Sequence, residues 1–439
     1  MNQNIVNKIQ EIHKNHCSLH ELSKIIDKYL IPQENEKKKN AEVSTPFQLR
    51  QDMLNTIPLD FWTTPRKVFE PCSGKGGFLI DILERFMMGL SDIIPNDKER
   101  YQTIVEQCLY FADINPMNIF ICRLLLDPYN EYKLNYYEGN TLELDINEKW
   151  NLQGFDAVIG NPPYNNSQNH VGKRGGGDLL WNKFVCHALG FQYNKHWLKK
   201  NGYLLYVHPS GWRKPDSQHS KYKGLFRFMT HQNQMLYLEI HGTDDGLKSF
   251  GCGTRYDWYL LQHKTYNNPT TIVGQDKKQV KLNLSEWKFL PNYNFEIMKR
   301  LLSDEYNVNI IYDSSSYETR KQHVQKEKTS IFQYPLIHTI TKNNINYYYS
   351  SINNKGHFGI PKVIFCDSGL NDIIIDYEGK YGLTQHSIGI KICSRQEGEQ
   401  IKKFLLHENF KDLIKSCSWS NYQIDWRLFT YFRKDFYTH

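Results

Sequence analysis

Phe69-Glu70-Pro71-Cys72-Ser73-Gly74-Lys75-Gly76-Gly77-Phe78 joins a short apolar strand over residues 67–70 to a helical stretch over 74–90. Small residues at such a turn let the backbone bend sharply and approach a ligand, whose polar groups meet the helix N-terminal amides. The spacing is neither G-x-G-x-x-G nor a P-loop, because Gly-Lys-Gly lacks the Walker spacing and its Lys-Ser/Thr pair. A glycine-rich turn by itself serves any tight connection, so its neighbours must decide. Working outward, strands are expected over 108–113, 134–138, 155–159, 202–208, 234–239 and 255–262, with helices over 116–126 and 181–189. Strand–helix alternation with short connections predicts an α/β fold built on a doubly wound, mostly parallel sheet.

The second strand ends in Phe111-Ala112-Asp113-Ile114-Asn115-Pro116. A carboxylate at that place in an α/β sheet holds the two hydroxyls of a ribose. Asp113 could instead cap the helix beginning at Pro116. Taken with the glycine turn, it favours a nucleoside cofactor over two unrelated turns.

Phe155-Asp156-Ala157-Val158-Ile159-Gly160-Asn161-Pro162-Pro163-Tyr164 stands where a fourth strand ends, at the carboxyl edge where such sheets bind ligands. The two prolines terminate the strand, since neither donates a ladder hydrogen bond, and they stiffen the backbone so that a carbonyl keeps one direction. Asn161 adds a side-chain acceptor and Tyr164 a flat face. Two acceptors and a ring suit a planar amide or amino group. The acceptors take its two N–H hydrogens, the ring stacks on its plane, and the nitrogen lone pair is aimed at an electrophile.

Apolar residues at helical spacing from Ile5 to Leu30 predict one or two amphipathic helices, followed by a charged linker over 32–40 and a helix over 46–54 that Ser44 or Thr45 could cap. Past about residue 265 the alternation breaks into Asn-, Tyr- and Ser-rich stretches. The expected domains are 1–43 (helical extension and linker), 44–265 (the α/β domain) and 266–439 (a second, α+β domain). Composition, with 40% hydrophobic and 23% charged residues, excludes a disordered or fibrous chain. No apolar run is long enough for a membrane span and the opening residues lack signal-peptide character, so neither secretion nor membrane insertion is expected. Nine scattered cysteines without a Cys-x-x-Cys pair argue against disulfides and structural zinc, and for a reducing compartment. The formal charge of +7 is uneven: residues 1–164 carry −6, 165–260 carry +7 and 261–439 carry +6. That layout suits a polyanion partner for the later segments.

Other signals carry less. His13, His16, Cys17 and His20 share a helical face at metal-ligand spacing, but His16 lies on the apolar stripe and no supporting carboxylate or cysteine pair accompanies them, so no metal is expected. Asp27 and Glu36-x-Lys38 fall in a charged stretch with no sheet to carry a nuclease site. Cys72 lies in the glycine loop, where a small packing residue is the plainer reading than a nucleophile. Residues 165–177, with Lys173, Arg174 and three glycines, read either as a loop that closes over a target and touches phosphate or as a plain insertion.

These residues together resemble the S-adenosylmethionine-dependent amino-methyltransferases, most closely the DNA adenine-N6 methyltransferases of restriction–modification systems whose cofactor motifs come first and whose recognition domain comes last. Ser44-Thr45-Pro46 is similar to the family's opening cofactor motif and Phe69–Phe78 to its glycine-rich motif. The resemblance implies cofactor contacts from Thr45, Glu70, Cys72 and Gly74, and ribose and adenine contacts from Asp113 and Ile114. Gly139-Asn140-Thr141 stands where the family usually has Gly-Asp, so Asn140 is implied as a weaker contact to the cofactor's adenine amino group. Asn161, Pro162 and Tyr164 match the catalytic motif, and Phe250 in Ser249-Phe250-Gly251 is implied to pack against the extruded base. Residues 361–365 and 377–384 are similar to segments that follow such domains in restriction–modification proteins.

The resemblance implies S-adenosylmethionine as cofactor, double-stranded DNA as partner and an intracellular place with access to DNA. It leaves room for a cognate restriction endonuclease and leaves the oligomeric state open. Asn-Pro-Pro-Tyr also serves enzymes that methylate a protein glutamine or the guanine amino group of ribosomal RNA. A catalytically silent nucleic-acid-binding subunit is the non-enzyme alternative.

Overall fold

The computed structural model describes residues 3–14, 19–32, 36, 42–165, 179–193, 196–217, 220, 223–313, 315–342, 344–419 and 423–438. They form two compact units, residues 1–212 with 216–288 and residues 213–215 with 289–439.

In the first unit β1 (Val68–Glu70), β2 (Leu109–Asp113), β3 (Asn135–Glu138), β4 (Phe155–Gly160), β5 (Leu198–Pro209), β6 (Gln234–His241), β7 (Tyr256–Gln262), β8 (Thr270–Val273) and β9 (Gln279–Leu282) build one sheet, in the order β3-β2-β1-β4-β5-β7-β6-β8-β9 among the described residues. From β3 to β5 all neighbours are parallel; β7 runs antiparallel to both β5 and β6. β1 and β2 are buried along their whole length, as strands covered on both faces must be. The doubly wound α/β sheet expected from the sequence is thus present.

The chain runs outward from β1 through β2 to β3, then returns to lay β4 on the other side of β1. Val68 faces Leu109 on one side and Ala157 on the other. This reversal leaves a crevice at the carboxyl ends of β1 and β4, where an open sheet binds its ligand. The glycine turn follows β1 and Asn161 follows β4, so topology alone brings residues about ninety positions apart to one place.

Helices α1 (Gln3–Lys14), α2 (Leu19–Tyr29), α3 (Phe47–Leu54), α4 (Gly77–Gly89), α5 (Pro116–Leu126), α6 (Trp181–Leu189) and α7 (Thr243–Phe250) accompany this sheet. Ile9, Leu22 and Ile26 share one buried cluster with Phe78, Leu79, Ile82 and Leu125. The N-terminal helices therefore join the core of the α/β unit. α5 starts as its sequence demands: Pro116 occupies the first turn, and the Asn115 side chain accepts the Met117 amide at 3.1 Å. α3 departs from expectation. Pro46 holds its cap position with no side-chain hydrogen bond, and Asp27 accepts the Phe47 amide at 3.1 Å, so neither Ser44 nor Thr45 caps it.

The first unit runs past residue 265 to Lys288, because β8 pairs in parallel with β6 and carries β9 antiparallel beside it. In the second unit β10 (Ile310–Ile311), β14 (Lys362–Cys366), β15 (Gly369–Asp376) and β17 (Ser387–Lys391) form one sheet. β11 (Val324–Gln325), β12 (Tyr334–Ile340), β13 (Ile345–Ser350) and β16 (Gly382–Leu383) form another. Helices α8 (Arg395–Leu405) and α9 (Glu408–Lys415) follow, giving the expected mixture of strands and helices. The Lys362 ammonium, fully buried, bonds Asp376 at 2.7 Å, and Asp376 accepts the Lys380 and Tyr381 amides at 2.8 and 2.9 Å, so this carboxylate ties the two segments singled out in this region.

Candidate active site

Glu70 ends β1, and the chain then turns through Pro71–Gly76 into α4. Gly74 and Gly76 take left-handed conformations, with φ of +50° and +82°. Gly77 serves a close approach instead: a Cβ there would fall 2.9 Å from the Arg50 guanidinium. Asp113, at the end of β2, accepts the Gly74 amide at 2.9 Å and the Asn115 amide at 2.8 Å. Burial raises its carboxyl to about 6, against the pull of those two amides. Ile114 beside it is 55% exposed, so an apolar face stands open next to a nearly buried carboxylate.

Arg50 is an internal cation with every arm engaged. It bonds Asp81 at 2.6 Å, Asp27 at 3.0 Å, Ser23 at 2.8 Å and the Thr45 carbonyl at 2.6 Å. Asp27, considered above as part of a nuclease site, is spent on this clamp. Lys75 is likewise occupied, by Glu36 at 2.5 Å and Asn118 at 2.7 Å, with Glu42 at 3.4 Å.

Asn161 shows the most directed geometry. Its NH2 donates to the Thr45 hydroxyl at 3.2 Å and to the Val43 carbonyl at 3.4 Å, while its backbone carbonyl accepts from the Cys72 thiol at 3.4 Å. Its side-chain oxygen is buried and has no hydrogen-bond partner among the described residues. The Glu70 Oε2 and Glu42 Oε1 atoms are in the same condition, save for the Lys75 ammonium near Glu42. Burial pushes the Glu70 carboxyl well above the usual carboxylate range, opposed by Arg50.

Glu42, Glu70 and Asn161 line one cavity of about 50 Å³, together with Val43, Thr45, Arg50, Cys72 and Gly74. That is room for a small polar group rather than for a whole nucleoside. Its unmet groups are all oxygen acceptors, so the ligand that completes it brings donor hydrogens and positive charge. The ammonium end of S-adenosylmethionine meets that demand, and Asp113 with the open face of Ile114 suits a nucleoside.

Tyr164 and Phe250, 86 positions apart, come together as an edge-to-face pair with ring centroids 6.5 Å apart. Phe250 rests against Tyr256 in turn, at 4.9 Å. Burial pushes the Tyr164 phenol up, so it stays neutral, and its hydroxyl has no hydrogen-bond partner. Cys72 is unsuited to nucleophilic attack, since burial pushes its thiol well up. Asn140 lies at the end of β3, where its oxygen accepts the Leu142 amide at 3.3 Å and its NH2 donates to Glu143 at 2.6 Å.

Of the histidine face on the N-terminal helices, His13 contacts the Leu125 carbonyl at 2.8 Å and His20 lies edge-on to Phe47. His16 and Cys17 lie outside the described residues, as do Lys38 and residues 166–177 of the basic loop. Among the described residues no cluster of three metal-ligating side chains occurs, and no helix is long and apolar enough to cross a membrane.

Residues 107–241 match the Eco57I restriction-modification methylase family. That segment holds β2 through β6, including Asp113 and the Asn161–Tyr164 turn. Among solved structures, the type IIL restriction-modification enzyme MmeI in complex with DNA is 10% identical, over 98% of this chain and 66% of that one, with a TM-score of 0.49. The M protein of the type I restriction enzyme EcoKI is 13% identical, over 73% and 84% of the two chains, at 0.36. A methyltransferase subunit of a type I restriction-modification system from Streptococcus thermophilus is 14% identical, over 55% and 51%, at 0.37. This chain spans about half the length of several of the solved chains it matches, 51%, 49% and 51%. No curated protein matches it.

Sequence reading missed Glu42, Val43 and Arg50. Arg50 alone left a trace: it is a lone cation on the buried stripe Leu49, Arg50, Met53 and Leu54 of α3.

Proposed function

We propose that this chain is a restriction–modification methyltransferase that transfers a methyl group from S-adenosylmethionine to the N6 amino group of adenine in DNA. The observation that carries the proposal is Asn161: its NH2 is tied down, its carbonyl oxygen is buried without a partner, and Tyr164 follows two prolines later. Glu70 and Glu42 take the cofactor's ammonium end, while Thr45, Cys72 and Gly74 shape the wall around it. Asp113 takes the ribose hydroxyls, and Ile114 and Asn140 meet the adenine. The cofactor, when bound, supplies an electrophilic methyl group on a sulfonium.

An adenine inside a duplex cannot reach such a site, so it is flipped out at a cost of a few kcal/mol. Stacking on Tyr164 offsets about 1–3 kcal/mol of this, and Phe250 braces the ring from its side. The Asn161 side-chain oxygen and the Pro162 carbonyl accept the two N6 hydrogens, which localises the nitrogen lone pair. Transfer then depends on positioning and electrostatics, and the proton leaves after the methyl arrives. Residues 44–265 carry the chemistry and residues 266–439 recognise DNA, with the positive charge shared between residues 165–260 and 261–439. A cognate endonuclease acting on the same site completes the system, in whatever compartment holds that DNA.

Incubation of the chain with labelled S-adenosylmethionine and a mixed pool of duplex DNA, followed by modified-base sequencing, tests this. Label in N6-methyladenine at one short motif is expected, with turnover lost by more than about a hundredfold in Asn161→Ala while cofactor binding persists. Label in RNA or protein instead, or near-native turnover by the variant, refutes it.

A further inference from the structure

A carboxamide is a two-faced group. Rotation of the Asn161 side chain by half a turn exchanges its acceptor for a donor at nearly the same position. A donor aimed at an amino group repels it and cannot draw off its hydrogens, so the proposed chemistry depends on which way this amide points.

The Asn161 NH2 faces two acceptors that lie just ahead of α3. One is the Val43 carbonyl, which can only accept; the other is the Thr45 hydroxyl, 116 positions away in the chain. Thr45 is itself buried, and Arg50 fixes its carbonyl at 2.6 Å. Arg50 is anchored in turn by Ser23 and Asp27 of α2 and by Asp81 of α4. A chain of contacts thus runs from the N-terminal helices, through the guanidinium, to the amide that ends β4.

Resting on the reading proposed above, we infer that Thr45 is a positioning residue: the Val43 carbonyl sets which face of the Asn161 amide turns inward, the Thr45 hydroxyl anchors that amide in place, and the Arg50 clamp holds Thr45. This gives the helical extension a part in the chemistry. It also accounts for Thr45 leaving the N-terminus of α3 without a side-chain cap.

Thr45→Val keeps the shape of the side chain and removes only the hydroxyl acceptor. The Val43 carbonyl remains, so a partial loss is expected: kcat, read at saturating S-adenosylmethionine, lower by about tenfold. Thr45→Ser, which restores the hydroxyl, is expected to recover kcat to within about twofold. Crystal structures of wild type and Thr45→Val, each with S-adenosylhomocysteine, give the second readout: the Asn161 side chain shifts or splits between two rotamers in the variant.

A variant whose entire loss lies in cofactor affinity overturns the inference. So does an Asn161 side chain that keeps its single wild-type position in the variant crystals. If the wild-type chain methylates no amino group at all, the proposed function fails, and the position of the Asn161 side chain in the two crystal structures still decides this inference.

Discussion

Replacing Asp113 by Asn should make the protein more stable and a poorer binder of its cofactor, and the two effects should part with pH. The Asp113 carboxyl sits at about 6 rather than its ordinary 3.8. Between those values the folded chain holds a proton that the unfolded chain has released, so stability falls as pH rises through this window. Above pH 6 the loss is complete. A difference of roughly two pH units corresponds to about 3 kcal/mol. Asn offers one carbonyl oxygen where Asp113 serves the Gly74 and Asn115 amides with two, which returns about 1 kcal/mol. The net gain at pH 8 is therefore about 2 kcal/mol, or roughly 4 °C in melting midpoint for a unit of this size. At pH 4.5 Asp113 is already protonated and the gain should largely vanish. Cofactor affinity goes the other way. If only the ionised carboxylate holds the ribose hydroxyls, wild-type affinity should fall about tenfold between pH 7.5 and pH 5, and Asp113→Asn should be weak and flat across that range. Thermal unfolding at the two pH values, with titration calorimetry for the cofactor, measures both. A variant that melts below wild type at pH 8, or a wild-type affinity unchanged between pH 7.5 and pH 5, refutes the reasoning.

Two further substitutions probe parts of the molecule that the first does not reach. Lys362→Met leaves the Asp376 carboxylate buried without its cation, and should cost about 3–5 kcal/mol in denaturant unfolding of the full chain, most of it recovered when Asp376 is also made apolar. Cys72→Ala removes a thiol that burial keeps protonated, so methyl transfer should stay within about twofold of wild type, and a loss of about a hundredfold would reinstate it as a nucleophile.

The α/β sheet was legible because its strands are short apolar runs punctuated by glycine and proline. The helices over Pro116–Leu126 and Trp181–Leu189 coincide with their expected bounds, and β4 ends where Pro162 and Pro163 must end it. β8 and β9 were not expected. They are four residues each, and the second alternates polar with half-buried positions at the sheet edge. In the second unit β10, β11 and β16 are two residues long, too short to show a period. Most of the candidate site residues stand in local motifs, whereas Glu42, Val43, Arg50 and the partnerships among all of them do not. Thr45 before a proline and a helix reads as a cap, and only the fold brings Asn161 to its hydroxyl. Glu42 reads as one charge in a charged stretch until Lys75 and Gly74 are seen beside it. Asn140 reads as a ligand contact by its place after β3, and only the structure shows one N–H and one lone pair of its amide engaged by Glu143 and the Leu142 amide in its own turn.

The unmet acceptors around the glycine turn carry an energetic consequence. Among the described residues Asn161 Oδ1 and Glu70 Oε2 are buried without hydrogen-bond donors and Glu42 Oε1 has only the Lys75 ammonium at 3.4 Å, at a cost of about 1–3 kcal/mol for each unmet oxygen. Burial relieves part of this at Glu70 by favouring the protonated carboxyl, which can be neutral while the cavity is empty of a cation. A ligand that brings an ammonium reverses the balance: the carboxyl gives up its proton, and the Glu70 and Glu42 oxygens gain donors, while Asn161 Oδ1 is left for the N6 hydrogens. Binding should therefore release protons, visible as a dependence of the calorimetric enthalpy on the ionisation enthalpy of the buffer. It should also stabilise the chain by about 2.7 kcal/mol when free ligand stands at about 100 times Kd. At pH 8, where Asp113 is already ionised, an analogue of S-adenosylmethionine lacking only the α-ammonium leaves Glu70 without a cation, and should lose affinity by about tenfold or more and release no protons. Equal stabilisation by the two compounds at matched concentration would mean that Glu42 and Glu70 face something other than the cationic end of the cofactor, and the cavity would need another ligand.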